Sequence, residues 1–202
     1  MKSIHAALLF AMLMSFAGGV SAGSGGTGIV TPPAAKIIER QDLEKIFSKF
    51  GFKGSFLLYD AANDSFTAVN YERTLKRFTP ASTTKIPNAL IFLEAGIVED
   101  QDRPVMKWDG TWYDFPGWNE DQTLRSAMKN SVMWFYQACA RKAGQQKMQE
   151  YYDLFDYGNR DLTGGVDKFW VDGGLAISQM EQILFLKKFY YYQLPVKRPH
   201  ID

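Results

Sequence analysis

The stretch that most constrains this chain is Phe-Thr-Pro-Ala-Ser-Thr-Thr-Lys-Ile-Pro-Asn-Ala-Leu-Ile-Phe-Leu-Glu, from Phe78 to Glu94. It reads as a loop that becomes a helix. Pro80 precedes the first turn, where a missing N–H costs nothing. Ala89, Leu90, Ile91, Phe92 and Leu93 make a helix that is apolar nearly all round, which predicts burial. Gly96 is a natural stop. Ser82 and Lys85 are three residues apart and so share one helical face. A hydroxyl and an amine at the mouth of a buried helix form a chemical pair rather than a packing pair, and the helix N-terminus turns backbone N–H groups towards anything bound beside Ser82.

The choice of partner for Ser82 is narrow. The chain of 202 residues has two histidines, His5 close to the N-terminus and His200 close to the C-terminus, so a Ser-His-Asp arrangement is not expected. No His/Cys cluster suggests a zinc or other metal site. Lys85 is left as the base. An ammonium cannot accept a proton, so the amine must be neutral or chemically altered, and burial among apolar side chains favours the neutral form. The spacing alone does not decide the matter, because Ser126-Ala-Met-Lys129 repeats it. That second copy reads as an exposed helix face. The single cysteine, Cys139, sits in an apolar helical run and reads as a core residue.

Charge excludes several partners. There are 23 Lys and Arg against 22 Asp and Glu, a balance that suggests neither nucleic acid nor an anionic membrane. Met1-Lys2, the apolar run Ile4 to Phe16 and the small residues Val20-Ser21-Ala22 read as a secretory signal peptide over residues 1–22. The run is shorter than the ~20 residues needed to span a bilayer. The mature protein is therefore expected to be periplasmic or secreted, with no membrane anchor. Residues 23–35 read as a flexible start, and 36–202 as one domain. Ile37 to Phe50 has roughly helical apolar spacing closed by Gly51; Ser55–Tyr59 and Phe66–Val69 read as a β-hairpin. Beyond the central helix the chain reads as mainly helical. An irregular aromatic loop spans 102–119, a short helix covers 123–129, and Ser131 reads as the cap of a helix that runs to about Ala143. Gly144 is the stop before a helix over 145–155. A capping box, Ser178-Gln-Met-Glu181, opens a helix running to about Gln193.

Five segments, taken together and in order, resemble class D serine β-lactamases, the oxacillinases: Pro80–Leu90, Lys129-Asn-Ser-Val-Met-Trp-Phe135, Tyr157-Gly-Asn159, Lys168-Phe-Trp170 and Leu175-Ala-Ile-Ser178. The resemblance implies an α+β fold of the serine β-lactamase and penicillin-binding transpeptidase type, with a mainly helical domain and an N-terminal hairpin. It implies Ser82 as the acylated nucleophile and Lys85, carboxylated by CO2, as general base. Ser131 would relay a proton, and Trp170 would hold the carbamate through its indole N–H. Met133, Tyr157 and Asn159 would line the substrate cleft, and no other cofactor is implied. Two features depart from the family pattern. Met133 stands where valine is usual, and no Lys-Thr/Ser-Gly follows Trp170, so the C-terminal sheet strands of the family are expected to be missing. Three readings stay open: a hydrolase acting on small-molecule β-lactams, a penicillin-acylated binding protein, and an inactive lactamase fragment. Oligomeric state is not legible.

Overall fold

The computed structural model describes residues 35–202; the signal peptide expected over 1–22 and most of the flexible start expected over 23–35 lie outside the described residues. In chain order the elements are β1 Lys36–Glu39, α1 Glu44–Lys49, β2 Phe56–Asp60, β3 Ser65–Val69, α2 Tyr71–Thr74, α3 Lys85–Glu94, α4 Leu124–Lys129, α5 Met133–Phe155 and α6 Gln179–Tyr190. They fall into two compact units. The first runs to Phe78 and includes Ile177–Leu184; the second holds Thr79–Ala176 and Phe185–Asp202.

The first unit is a small sheet. β2 and β3 form the expected antiparallel hairpin, with Phe56 opposite Val69 and Asp60 opposite Ser65. Its turn is closed by Asp60, whose Oδ1 accepts from the Ala62 N–H at 2.9 Å. Residues 36–39 are not the start of a helix. They form a third strand parallel to β3, giving the order β1-β3-β2. Lys36-Ile-Ile-Glu39 carries two β-branched side chains, which suit a pleated surface, and Ile37 packs on the core of Leu57, Phe66, Ala68, Met180 and Ile183. A helix begins only at Glu44, and its apolar residues Ile46 and Phe50 remain exposed. The apolar spacing over 37–50 therefore belongs to a strand and a short surface helix.

The capping box at the start of α6 is present. Ser178 N–H donates to Glu181 Oε2 at 2.9 Å, and Glu181 N–H donates to Ser178 Oγ at 3.1 Å. The same carboxylate takes a forked contact from Arg77, with Nη2 at 2.6 Å.

The second unit is helical. α3 buries Pro87 and Asn88 through Phe92, which fits its all-round apolar character. Thr123 and Ser126 close a capping box on α4. Gly144, at φ +81 and ψ +158, breaks α5 into two helical stretches where the sequence predicts a stop. Cys139 is buried and packs on Met106 as a core side chain, and burial pushes its thiol up to about 12. Lys129 of the second Ser-x-x-Lys copy is exposed, and Ser126 spends its hydroxyl on the cap. Among the described residues no helix is long and apolar enough to cross a membrane.

Burial raises the Glu181 carboxyl, but the bonds from Arg77 and Ser178 outweigh it and hold the group below its ordinary 4.5. A carboxyl lowered on folding adds stability above its ordinary value and loses it as pH falls through the folded value. Stability is expected to decline below about pH 4.5, and Glu181→Gln to flatten that acid limb. Urea unfolding at neutral and acid pH measures both.

Candidate active site

A turn of 3-10 helix, Ala81–Thr84, leads directly into α3. It places Ser82 at an exposed position and Lys85, the first residue of α3, at a buried one. Lys85 Nζ donates to Ser82 Oγ at 3.0 Å. The predicted shared face is thus an actual contact. Lys85 Nζ also lies 5.4 Å from the centre of the Tyr136 ring, and no carboxylate pairs with it among the described residues. Burial lowers its pKa from 10.5 to about 8, so an appreciable share of the amine is neutral near pH 7 to 8.

The second serine comes from the connection between α4 and α5. Ser131 Oγ donates to Ser82 Oγ at 3.2 Å. The sequence allows Ser131 as a helix cap, but the N-cap of α5 is Val132 and no side chain caps it. The Ser131 hydroxyl faces Ser82 instead. Both flanks of Ser82 carry left-handed backbone at a non-glycine residue: Ala81 has φ +48 and Ser131 φ +56. Such a conformation costs roughly 1–2 kcal/mol per residue, and strain of this kind gathers at functional sites.

The third piece is the loop carrying Trp170. Ala81 N–H donates to Trp170 O at 3.0 Å, which ties this loop to the residue before Ser82. Gly173 makes the close turn possible, because a Cβ there would lie 2.2 Å from Thr163 O and 2.4 Å from Phe169 Cα. Ser82, Lys85, Ser131, Met133 and Trp170 all line one cavity of about 320 Å³, with Phe115, Trp118, Asn130 and Val171.

Tyr157 and Asn159 are elsewhere. Tyr157 is buried, with its ring edge-on to Tyr152 at 5.5 Å and to Phe185 at 5.1 Å. Asn159 fastens the loop beyond it: Nδ2 donates to Gly174 O at 2.8 Å, and Oδ1 accepts from Ala176 N–H at 2.9 Å. Neither lines this cavity; they brace the segment that returns from Trp170.

Four contributors were not singled out from sequence. Phe115 and Trp118 come from the aromatic loop, where Trp118 Nε1 donates to Asn130 O at 3.0 Å and so seats its ring beside Ser131. Tyr136 lies one turn into α5 with its ring beside Lys85. Asn88 is fully buried one turn after Lys85; its Oδ1 accepts from Tyr152 Oη at 2.8 Å, while its Nδ2 has no partner. An unsatisfied buried donor of this kind costs about 1–3 kcal/mol. The aromatic richness of 102–119 was the available signal for Phe115 and Trp118. Asn88 in an apolar helix was the signal for a buried polar contact. Among the described residues no group of three or more His, Cys, Asp and Glu could hold a metal ion.

Residues 54–197 match the penicillin binding protein transpeptidase domain family. The chain belongs to this family. Among its relatives, the β-lactamase OXA-2 of Salmonella typhimurium is 42% identical over 165 residues, covering 81% of this chain and 60% of the relative. The solved class D β-lactamase BAT-2 superposes with a TM-score of 0.75 at 40% identity, over 79% of this chain and 66% of that one. The C-terminal domain of the Bacillus licheniformis BlaR penicillin-receptor superposes with a TM-score of 0.78 at 36% identity, over 85% and 68%. The resemblance to class D β-lactamases and the α+β fold it implies are both borne out. The chain spans about 60% of the length of the curated relatives it matches.

Replacing Ala81 by glycine removes the left-handed penalty and returns part of it as chain entropy. Ala81→Gly is expected to stabilise the protein by about 0.5–1 kcal/mol, measured by thermal unfolding.

Proposed function

We propose that this protein reacts with β-lactams through Ser82 and hydrolyses the resulting ester, as a class D β-lactamase. The observation that carries the reading is the 3.0 Å contact between Ser82 Oγ and a buried, unpaired Lys85 amine. The printed names of the relatives, β-lactamases and a penicillin receptor, support the choice of substrate.

Each residue then has a task. Ser82 Oγ, exposed at the cavity, attacks the β-lactam carbonyl carbon. Lys85 Nζ in its neutral form takes the hydroxyl proton, which general-base catalysis requires. Ser131 Oγ, 3.2 Å from Ser82 Oγ, relays a proton: it gives its own to the departing ring nitrogen and is restored by the proton that Lys85 took from Ser82. Met133, Phe115 and Trp118 supply apolar wall and limit water around the amine. The surroundings of Lys85 suit capture of CO2, since an amine lowered to about 8 offers a free lone pair in an apolar cavity. Carboxylation of Nζ would supply an anionic proton acceptor at this position, held by the Trp170 indole N–H. Tyr157 and Asn159 serve by bracing the Trp170 loop. Residues 1–22 direct export in this reading, which places the protein in the periplasm or outside the cell.

The BlaR likeness favours one second reading: acylation without turnover. Intact-mass measurement after benzylpenicillin separates the two. A transient adduct mapped to Ser82, with ring-opened product accumulating, supports the hydrolase. A stable adduct supports the receptor-like protein. Folded protein that takes up no penicillin sinks both.

Two further outcomes are expected. Ser131→Ala slows acylation by about 10²- to 10⁴-fold, read by stopped-flow with nitrocefin. In CO2-free buffer the acylation rate rises with pH, is half-maximal near pH 8 and levels off above it, as Lys85 loses its proton.

A further inference from the structure

Tyr152 stands between two parts of the site that are far apart in sequence. Its hydroxyl donates to Asn88 Oδ1 at 2.8 Å, and Asn88 follows Lys85 by one turn on α3. Its ring meets the Phe169 ring edge-on at 5.2 Å, and Phe169 meets the Trp170 indole edge-on at 4.8 Å. Tyr152, Asn88 and Phe169 are fully buried and Trp170 nearly so. The backbone of the Trp170 loop is held on the other side by Ala81 N–H and by the close turn at Gly173.

A buried amide in an otherwise apolar stretch of helix is a poor packing residue. All of its donor capacity is unused here, because Nδ2 has no partner. What Asn88 does provide is a directional anchor for Tyr152, and hydrogen bonds have narrow preferred geometry where packing contacts do not. The anchor fixes where the Tyr152 ring meets Phe169. The perpendicular ring pairs carry that placement on to Trp170, since edge-to-face contacts have preferred geometry of their own.

We propose that Tyr152 is a positioning residue that sets the placement of the Trp170 indole relative to Lys85, and thereby how tightly the Lys85 amine holds CO2. The inference rests on the carboxylation described under Proposed function. Capture forms a bond between Nζ and the carbon of CO2, shifts one C=O π pair onto oxygen and releases one Nζ proton to solvent. Release reverses each step. An indole N–H that is displaced stabilises the anionic product less, so capture weakens while the apolar surroundings of the amine are unchanged.

The test is a titration with ¹³C-bicarbonate, following the carbamate carbon by NMR in the intact protein, with Lys85→Ala as the blank. Tyr152→Phe keeps the ring and deletes the hydroxyl. Its bicarbonate midpoint is expected to rise about threefold or more, the size of coupling found between contacting residues. β-lactam acylation at saturating bicarbonate is expected to recover. Met148→Ala, which opens the buried face of the same helix, is expected to lower the melting temperature and leave the midpoint unchanged. Should Tyr152→Phe fail to fold, Tyr152→Phe with Asn88→Leu removes both polar partners together, a change that cores tolerate, and its midpoint must rise as well. Equal midpoints in wild type and variant overturn the proposal while leaving carboxylation standing. No carbamate signal in the wild type overturns carboxylation and this proposal together.

Discussion

The chemistry proposed for this protein depends on an amine buried without a counter-charge. Lys85 has an alcohol and an aromatic ring as its close polar and ring neighbours, and burial alone accounts for the drop of its pKa to about 8. A carboxylate at the same distance would stabilise the ammonium and remove the lone pair. The helix that carries the amine must therefore be buried on nearly every side, which is why α3 is so apolar. The same helix starts from the turn that exposes Ser82, so one short segment both buries the amine and exposes the hydroxyl.

The remaining architecture of the second unit holds other side chains to that pair. Ser131 reaches Ser82 from a connection whose backbone is left-handed, and Trp170 arrives on a loop fastened at Ala81, Gly173 and Asn159. Strain at Ala81 and Ser131 is tolerated because the neighbouring helices and hydrogen bonds over-determine those positions. The aromatic loop contributes Phe115 and Trp118, and rigidity comes from its own bonds, such as Trp118 Nε1 to Asn130 O.

Much of this was legible beforehand where the physics is local. Ser82 and Lys85 meet because residues three apart on a helical turn must share a face. Gly144 breaks α5 and Ser178 with Glu181 caps α6 for equally local reasons. Where the partner was distant, local reading failed. Ile37 and Ile38 fit a helical spacing, yet the neighbour that decides their state is β3, some thirty residues on. Ser131 looked like a cap, and only the position of Ser82 shows why its hydroxyl points elsewhere. The resemblance implies Tyr157 and Asn159 as cleft residues; Tyr157 lies in the core, part-buried Asn159 fastens the segment that returns from Trp170, and neither lines the cavity at Ser82.

By itself, the sequence determined that Ser82 and Lys85 share one helical face and that the helix behind them is buried, and its ordered motifs carried the resemblance to the family. Short-range spacing and composition encode the first two and a set of short motifs the third, and no long-range contact is needed to read them. Tertiary structure alone decided the depth of Lys85's burial, the approach of Ser131 and Trp170, and the link from Asn88 through Tyr152. These depend on contacts between residues dozens of positions apart, whose energies are set by packing that no local pattern records.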